Sequence, residues 1–359
     1  MAGFTGLLSG GCYAACMAAP AEQKPRLQEL DALRGIAALV VLLFHYSVRF
    51  HELFPAARHV PYGLMVGHYA ILLFFAISGF VIFFSLERID RLSDFAIKRF
   101  ARLYPAYWVA MAVTLVVEYV GDAPALLVPP ATVAANLTML HGFLFLPGVD
   151  GVYWTLGTEL AFYICMGALW FSRRADRIET ILAVWMGLHL FDARFQLLPS
   201  RISMLLVLDA IPYFAIGIIT YRVWAGQRSW REQLPLVAWL MLGETLTETM
   251  DITLVAGLLL LLFAAVIAGR ARMLAHPALL WLGTISYSLY LMHHNIGFVV
   301  ILRLQDAGWN PWAAAGTAML VAFGLAMLLH HFVEEPAARA IGRWWKRRRN
   351  PSTGQTAAV

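Results

Sequence analysis

The sequence predicts an all-α membrane protein: a polytopic bundle of about ten transmembrane helices with both termini in the cytoplasm. Three observations predict it. Hydrophobic residues make up 60% of the 359 positions and charged residues only 14%, against about 25% charged in a soluble domain. Apolar runs of about twenty residues, the length that crosses a bilayer as a helix, recur along the whole chain. Lys and Arg concentrate in alternate connections between those runs. A soluble protein with so large a core would need a charged exterior that this composition lacks.

Residues 1–29 form an N-terminal segment expected in the cytoplasm, its stretch AEQKPRLQE polar. MAGFTGLLSGGCYAAC lacks a basic leader and makes a weak signal peptide, so Met17 is the plainer start of translation. The apolar runs then place spans at 31–50, 67–86, 103–120, 153–171, 178–192, 202–221, 234–248, 252–269, 278–302 and 311–333. The fifth and seventh are short or polar. With the N-terminus inside, the inner connections hold roughly 21 of the 27 Lys and Arg residues. Residues 30–336 thus form the transmembrane domain and 337–359 a basic cytoplasmic tail. Trp344 and Trp345 beside four basic residues suit an interfacial helix on an anionic leaflet, and no nucleic-acid binding is expected. Cys12, Cys16 and Cys165 make neither a disulfide framework nor a metal-binding pattern, and no metal is expected.

Several residues inside the spans are costly there and point to chemistry. Arg34 and His45 lie eleven residues apart in LDALRGIAALVVLLFHY, about three turns, so both fall on one face. A charge and a titratable group within a span suggest function by default. Helical rise puts His45, Glu159 and His293 at similar depth, nearer the outer face, where they would form a proton-handling cluster. Arg99 and Arg102 in KRFARLYP share a face at the inner end of the third span, and guanidinium forks suit phosphate oxygens. Arg34 would join them. Ser78 and Gly79 in FFAISGFVIFF read as close helix packing.

Taken together, LDALRGIAALVVLLFHY, LLFFAISGFVIFF, FAIKRFARLYPAYW, YWTLGTELAFYI, ISYSLYLMHH and FVEEP resemble, in this order, the acyltransferase-3 family of integral membrane O-acyltransferases. The resemblance runs from Leu30 to Pro336. The family's Arg-x10-His pair falls on Arg34 and His45, and its Arg-x-x-Arg pair on Arg99 and Arg102. Its Trp-Ser-Leu-x-x-Glu segment falls on Trp154 to Glu159, with Thr155 for the usual Ser. Its Tyr-Leu-x-His segment falls on Tyr290 to His293, and Glu-x-Pro on Glu334 to Pro336. The extra hydrolase-like extracellular domain of some members is not expected here.

The resemblance implies a bacterial inner-membrane enzyme that moves an acyl group, acetyl foremost, from cytoplasmic acyl-CoA to a hydroxyl. The acceptor would be a glycan, cell-surface polysaccharide foremost, or a related small molecule, with membrane lipid as surroundings. Arg34, Arg99 and Arg102 would hold the CoA phosphates, and His45, Glu159 and His293 would carry the chemistry. His45 as general base and His45 as an acylated nucleophile both stay open. The alternative from another class is a proton-coupled exporter or flippase of a polar lipid or saccharide, using the same His and Glu as a relay. The lack of an evident internal repeat counts against it.

Overall fold

A computed structural model describes residues 27–349. Among them every regular element is helical. The readings made of residues 1–26, including the weak leader, the start at Met17 and the roles of Cys12 and Cys16, lie outside the described residues.

Five helices are long and apolar enough to cross a membrane: α1 (Gln28–Leu53), α2 (Met65–Leu86), α3 (Leu92–Val120), α8 (Met250–Ile267) and α11 (Pro311–Arg349). A sixth candidate is a bent pair, α9 (Pro277–Met292) and α10 (His294–Asp306), whose axes meet at 69°. Between α3 and α8 lie α4 (Trp154–Phe171), α5 (Ile178–Phe195), α6 (Ile211–Trp224) and α7 (Trp230–Thr247). The chain is therefore a multi-pass membrane protein.

The shortest of α4 to α7 is the centre of the bundle. α6 has 14 residues, and every residue from Ile211 to Arg222 is buried. It is too short to span about 30 Å of hydrocarbon unaided, but its neighbours shield it. Two glycine pairs bring the central helices close. Gly79 of α2 lies against the Phe214 carbonyl of α6, and Gly217 of α6 against the Ala76 carbonyl of α2; a Cβ on either would collide with backbone. Gly35 of α1 and Gly283 of α9 make the second crossing in the same way. Small residues at a membrane helix contact let backbones approach and gain dispersion contacts. The expectation that Gly79 serves packing therefore matches its place.

The break between α9 and α10 is the feature that shapes the site. The sequence predicts one straight span at 278–302; the structure bends it at His293. A break inside a membrane exposes backbone groups that lipid cannot satisfy. Here Tyr46 of α1 donates its hydroxyl to the His293 carbonyl at 2.7 Å, and the Asp150 carboxylate accepts the Asn295 N–H at 3.0 Å. Gly297 makes room for the Tyr46 hydroxyl, which a Cβ would strike. α1 is itself irregular at this level, with a π turn over His45–Arg49, a distortion common at functional positions.

The tail does not stand apart from the bundle. α11 continues through a second π turn, His330–Glu334, to Arg349. Its end docks on the start of α3: Trp345 Nε1 and Arg349 donate to the two Asp94 oxygens, both at 2.7 Å, and Arg349 also reaches Asp90 at 3.0 Å.

Candidate active site

α1 divides the polar interior into two sites, one around His45 and one around Arg34. His45 lines a cavity of about 1100 Å³ that lies toward the end where α1 finishes. Its Nδ1 is 2.8 Å from Nε2 of His293. The other nitrogen of His293, Nδ1, sits 3.0 and 2.9 Å from the carbonyls of Leu289 and Tyr290. Carbonyls only accept, so His293 Nδ1 carries the hydrogen and Nε2 carries a lone pair. That lone pair accepts from His45 Nδ1–H. His45 is thereby held in the tautomer whose Nε2 lone pair is free of this relay. The backbone at the helix break thus sets the proton position on a side chain of another helix.

His293 is fully buried, and its carbonyl is the group Tyr46 caps. Above it, Tyr290 shares a hydrogen bond with Thr155 at 2.7 Å and donates to the Val152 carbonyl at 3.0 Å. The hydroxyl kept at Thr155, where Ser is usual, ties α4 to α9.

The second site lies toward the start of α1. Arg34, Arg99, Arg102, Glu159, Tyr163 and Ser78 line a pocket of about 10 Å³. Glu159 Oε1 accepts from Ser78 Oγ at 3.1 Å and from the Tyr163 hydroxyl. Arg99 donates to Ser85 Oγ at 2.8 Å. Three guanidinium groups and one carboxylate along its walls leave net positive charge there, which suits an anionic group.

Here the sequence-based placement of Glu159 is corrected. Depth counting set it beside His45; the structure sets it among the arginines. The count assumed that α4 starts at the membrane surface. It starts inside the bundle instead, because the preceding loop turns inward: Asp150 and Tyr153 are fully buried. Every residue of α4 is displaced accordingly. His45 and His293, by contrast, do meet, and so do Arg34, Arg99 and Arg102.

Sequence reasoning also passed over a buried group next to His45. The ring of His294 stands edge-on to that of His45, with centroids 4.5 Å apart. Its Nδ1 lies 2.9 Å from Asp150 Oδ1. Asp150 also accepts from the backbone of Val152, at 3.1 Å, and of Asn295. Burial alone would push the Asp150 carboxyl up; His294 and the two backbone N–H groups outweigh it and hold the carboxyl below its ordinary value. Asn295 in turn donates to Glu118 at 2.6 Å and to the Val149 carbonyl at 3.0 Å. Two signals were legible. Asp150 precedes Val152 with the spacing of an Asx turn, and His-His-Asn in the middle of an apolar run is a poor continuous span.

No group of residues suited to a metal ion occurs among the described residues. Residues 27–331 match the acyltransferase domain family. The chain is 27% identical to acyltransferase MdmB of Streptomyces mycarofaciens, over 89% of this chain and 93% of that protein. It is 24% identical to nodulation protein 10 of Rhizobium leguminosarum bv. viciae, over 86% and 92% respectively. It is 26% identical to the exopolysaccharide production protein ExoZ of Rhizobium meliloti, over 80% and 94%. No solved structure matches the chain. With the match covering most of the sequence and both motif pairs assembled inside it, the chain belongs to the acyltransferase-3 family of membrane acyltransferases.

Proposed function

We propose that this protein transfers an acyl group, acetyl foremost, from cytoplasmic acyl-CoA to a hydroxyl of a carbohydrate or related acceptor, with His45 Nε2 as the general base. The observation that carries the proposal is the relay Leu289/Tyr290 carbonyl to His293 to His45, which leaves a lone pair on the wall of a cavity large enough for a sugar. The donor enters from the opposite side. Arg34, Arg99 and Arg102, which line one pocket with Glu159, take its phosphates. The rise from Arg34 to His45 is about 16 Å, comparable with the reach of a pantetheine arm, so the thioester arrives beside the imidazole. His45 then accepts the hydroxyl proton as the oxygen attacks the thioester carbon, and the sulfur leaves with a proton.

The topology that suits this is ten spans in the bacterial inner membrane. α4, α5, α6 and α7 then cross within the bundle, and both termini face the cytoplasm. The positive-inside bias supports that orientation. The name of ExoZ, an exopolysaccharide production protein, favours a surface polysaccharide as acceptor. The exporter reading gains no support from relatives whose names describe acyltransferases. The test is transfer from labelled acetyl-CoA by the purified full chain with membrane glycan extracts as acceptor. Consumption of acetyl-CoA that depends on both the extract and His45 is expected. Turnover that survives His45→Ala overturns the assignment.

A further inference from the structure

His294 and Asp150 lie outside the roles given above, yet they are among the most buried polar groups of the molecule, at 3% and 0% exposure. Their orientation follows from the same kind of reasoning as that of His45. Asn295 Nδ2 donates to Glu118 and to the Val149 carbonyl, which turns its Oδ1 toward His294 Nδ1 at 2.7 Å. Asp150 Oδ1 approaches the same nitrogen at 2.9 Å. Two acceptors converge on His294 Nδ1, so in the neutral ring that nitrogen carries the hydrogen and Nε2 the lone pair. That nitrogen has no hydrogen-bond partner among the described residues, and His294 lines the large cavity beside His45. Gly151 covers the ring edge: a Cβ there would lie 2.6 Å from His294 Cε1 and 3.3 Å from Nε2.

Two imidazole lone pairs, on rings 4.5 Å apart, thus border one cavity. The reaction as proposed uses one of them. From this we infer that His294 is an acceptor-binding residue: its Nε2 accepts a hydrogen bond from a second hydroxyl adjacent to the one being acylated. Asp150 is its positioning residue. The acceptor class is then a vicinal diol, such as two neighbouring hydroxyls of a sugar ring, rather than an isolated alcohol. A lone pair held in a buried place discriminates strongly against an analogue that cannot satisfy it. The inference rests on the acyltransferase reading and narrows its substrate.

The experiment needs no knowledge of the natural acceptor. Diethyl pyrocarbonate acylates imidazole nitrogens that carry an accessible lone pair, and peptide mass spectrometry of the full chain in micelles reads His45, His293 and His294 separately. His45 and His294 are expected to react and His293, whose lone pair is engaged, to be protected. Equal concentrations of cis-cyclohexane-1,2-diol and cyclohexanol then compete with the reagent. Cyclohexanol is the more apolar and would protect better by occupancy alone. The expected result is the reverse: the diol slows both histidines by about threefold, the scale of one neutral hydrogen bond, and cyclohexanol does not. In His294→Leu the diol loses its protection of His45. Gly151→Ala, which keeps both histidines but crowds the His294 edge, does the same. Asp150→Asn weakens protection while His45 itself stays reactive. Equal protection by the two alcohols, or diol protection of His45 that persists in both His294→Leu and Gly151→Ala, overturns the inference. Acetyl transfer that survives His45→Ala would instead sink the proposed reaction, a separate readout.

Discussion

The two polar sites along α1 are built by different means. At the histidine site, orientation comes from backbone: the carbonyls of Leu289 and Tyr290 fix His293, and His293 fixes His45. The site borders about 1100 Å³ of space. At the arginine site, the contacts are between side chains: Arg34, Arg99 and Arg102 line a pocket of about 10 Å³ with Glu159, which accepts from Ser78 and Tyr163, while Arg99 donates to Ser85. A backbone-fixed imidazole is ready before any ligand arrives, which suits a group that handles a proton. Guanidinium groups that share a pocket with a carboxylate without bridging it keep donors for an external anion, which suits binding. Changes at the first site should act on rate, and changes at the second on donor affinity.

The largest effect expected is on rate. His45→Ala should lower acyl transfer by about 10²–10⁴-fold, the usual worth of a positioned general base, with CoA affinity unchanged. Single-turnover assays with labelled acetyl-CoA and calorimetric titration with CoA measure the two separately. A parallel fall in both would mean that the two sites act as one.

At the other site the effects should appear in binding. Arg99→Ala and Arg102→Ala should each weaken CoA by about 1.5–3 kcal/mol, the worth of a charge-assisted hydrogen bond, and leave His45 reactivity toward diethyl pyrocarbonate alone. Glu159→Gln sharpens the comparison. Removing the internal carboxylate should tighten CoA, because an external phosphate no longer competes with it. A fall in turnover at unchanged CoA affinity would instead return Glu159 to the acceptor side.

How much of this could be read from sequence depends on how directly residue spacing converts to position. Arg34 and His45 sit on one uninterrupted helical run, so eleven residues meant three turns, and the structure keeps them on α1 as expected. Arg99 and Arg102 share a helix turn, and their pairing was equally direct. The all-helical membrane class followed from composition, the recurring apolar runs and the alternation of basic connections. Glu159 was misplaced because its depth depended on where α4 starts, and that is set by tertiary contacts of the loop before it. Asp150 there is held by His294 and Asn295, more than 140 positions away. The break at His293 was missed because the apolar runs on either side of His-His-Asn add up to the length of one span. What pays for the interruption is Tyr46 and Asp150, residues that no local pattern connects to it.

The two glycine crossings separate the sites mechanically. Gly217→Ala would force α6 away from α2, which carries Ser78 of the arginine site. Gly283→Ala would force α9 away from α1, and those helices carry members of both sites. Each should cost about 1–3 kcal/mol of stability through overpacking, measured as a lower melting temperature in micelles. Gly217→Ala should weaken CoA with little change in His45 reactivity, and Gly283→Ala should alter both. Identical profiles from the two variants would mean that the bundle responds as a single body.

The smallest effect expected is a pH dependence confined to the histidine side. The Asp150 carboxyl titrates below its ordinary value, since His294 and the N–H groups of Asn295 and Val152 outweigh the burial that would raise it. Folding therefore favours the ionised form more than the unfolded chain does. The stabilisation is complete at pH values above the ordinary carboxylate range and is lost as the pH falls through the depressed, folded-state value. Asp150→Asn keeps the shape but removes the titration. The wild-type protein should thus lose melting temperature more steeply on acidification than Asp150→Asn, while the two curves converge at the acid end. Arg102→Ala, which leaves this carboxyl untouched, should retain the wild-type slope. A slope that survives Asp150→Asn would assign the acid sensitivity to other carboxylates and leave the break between α9 and α10 held by hydrogen bonding without charge.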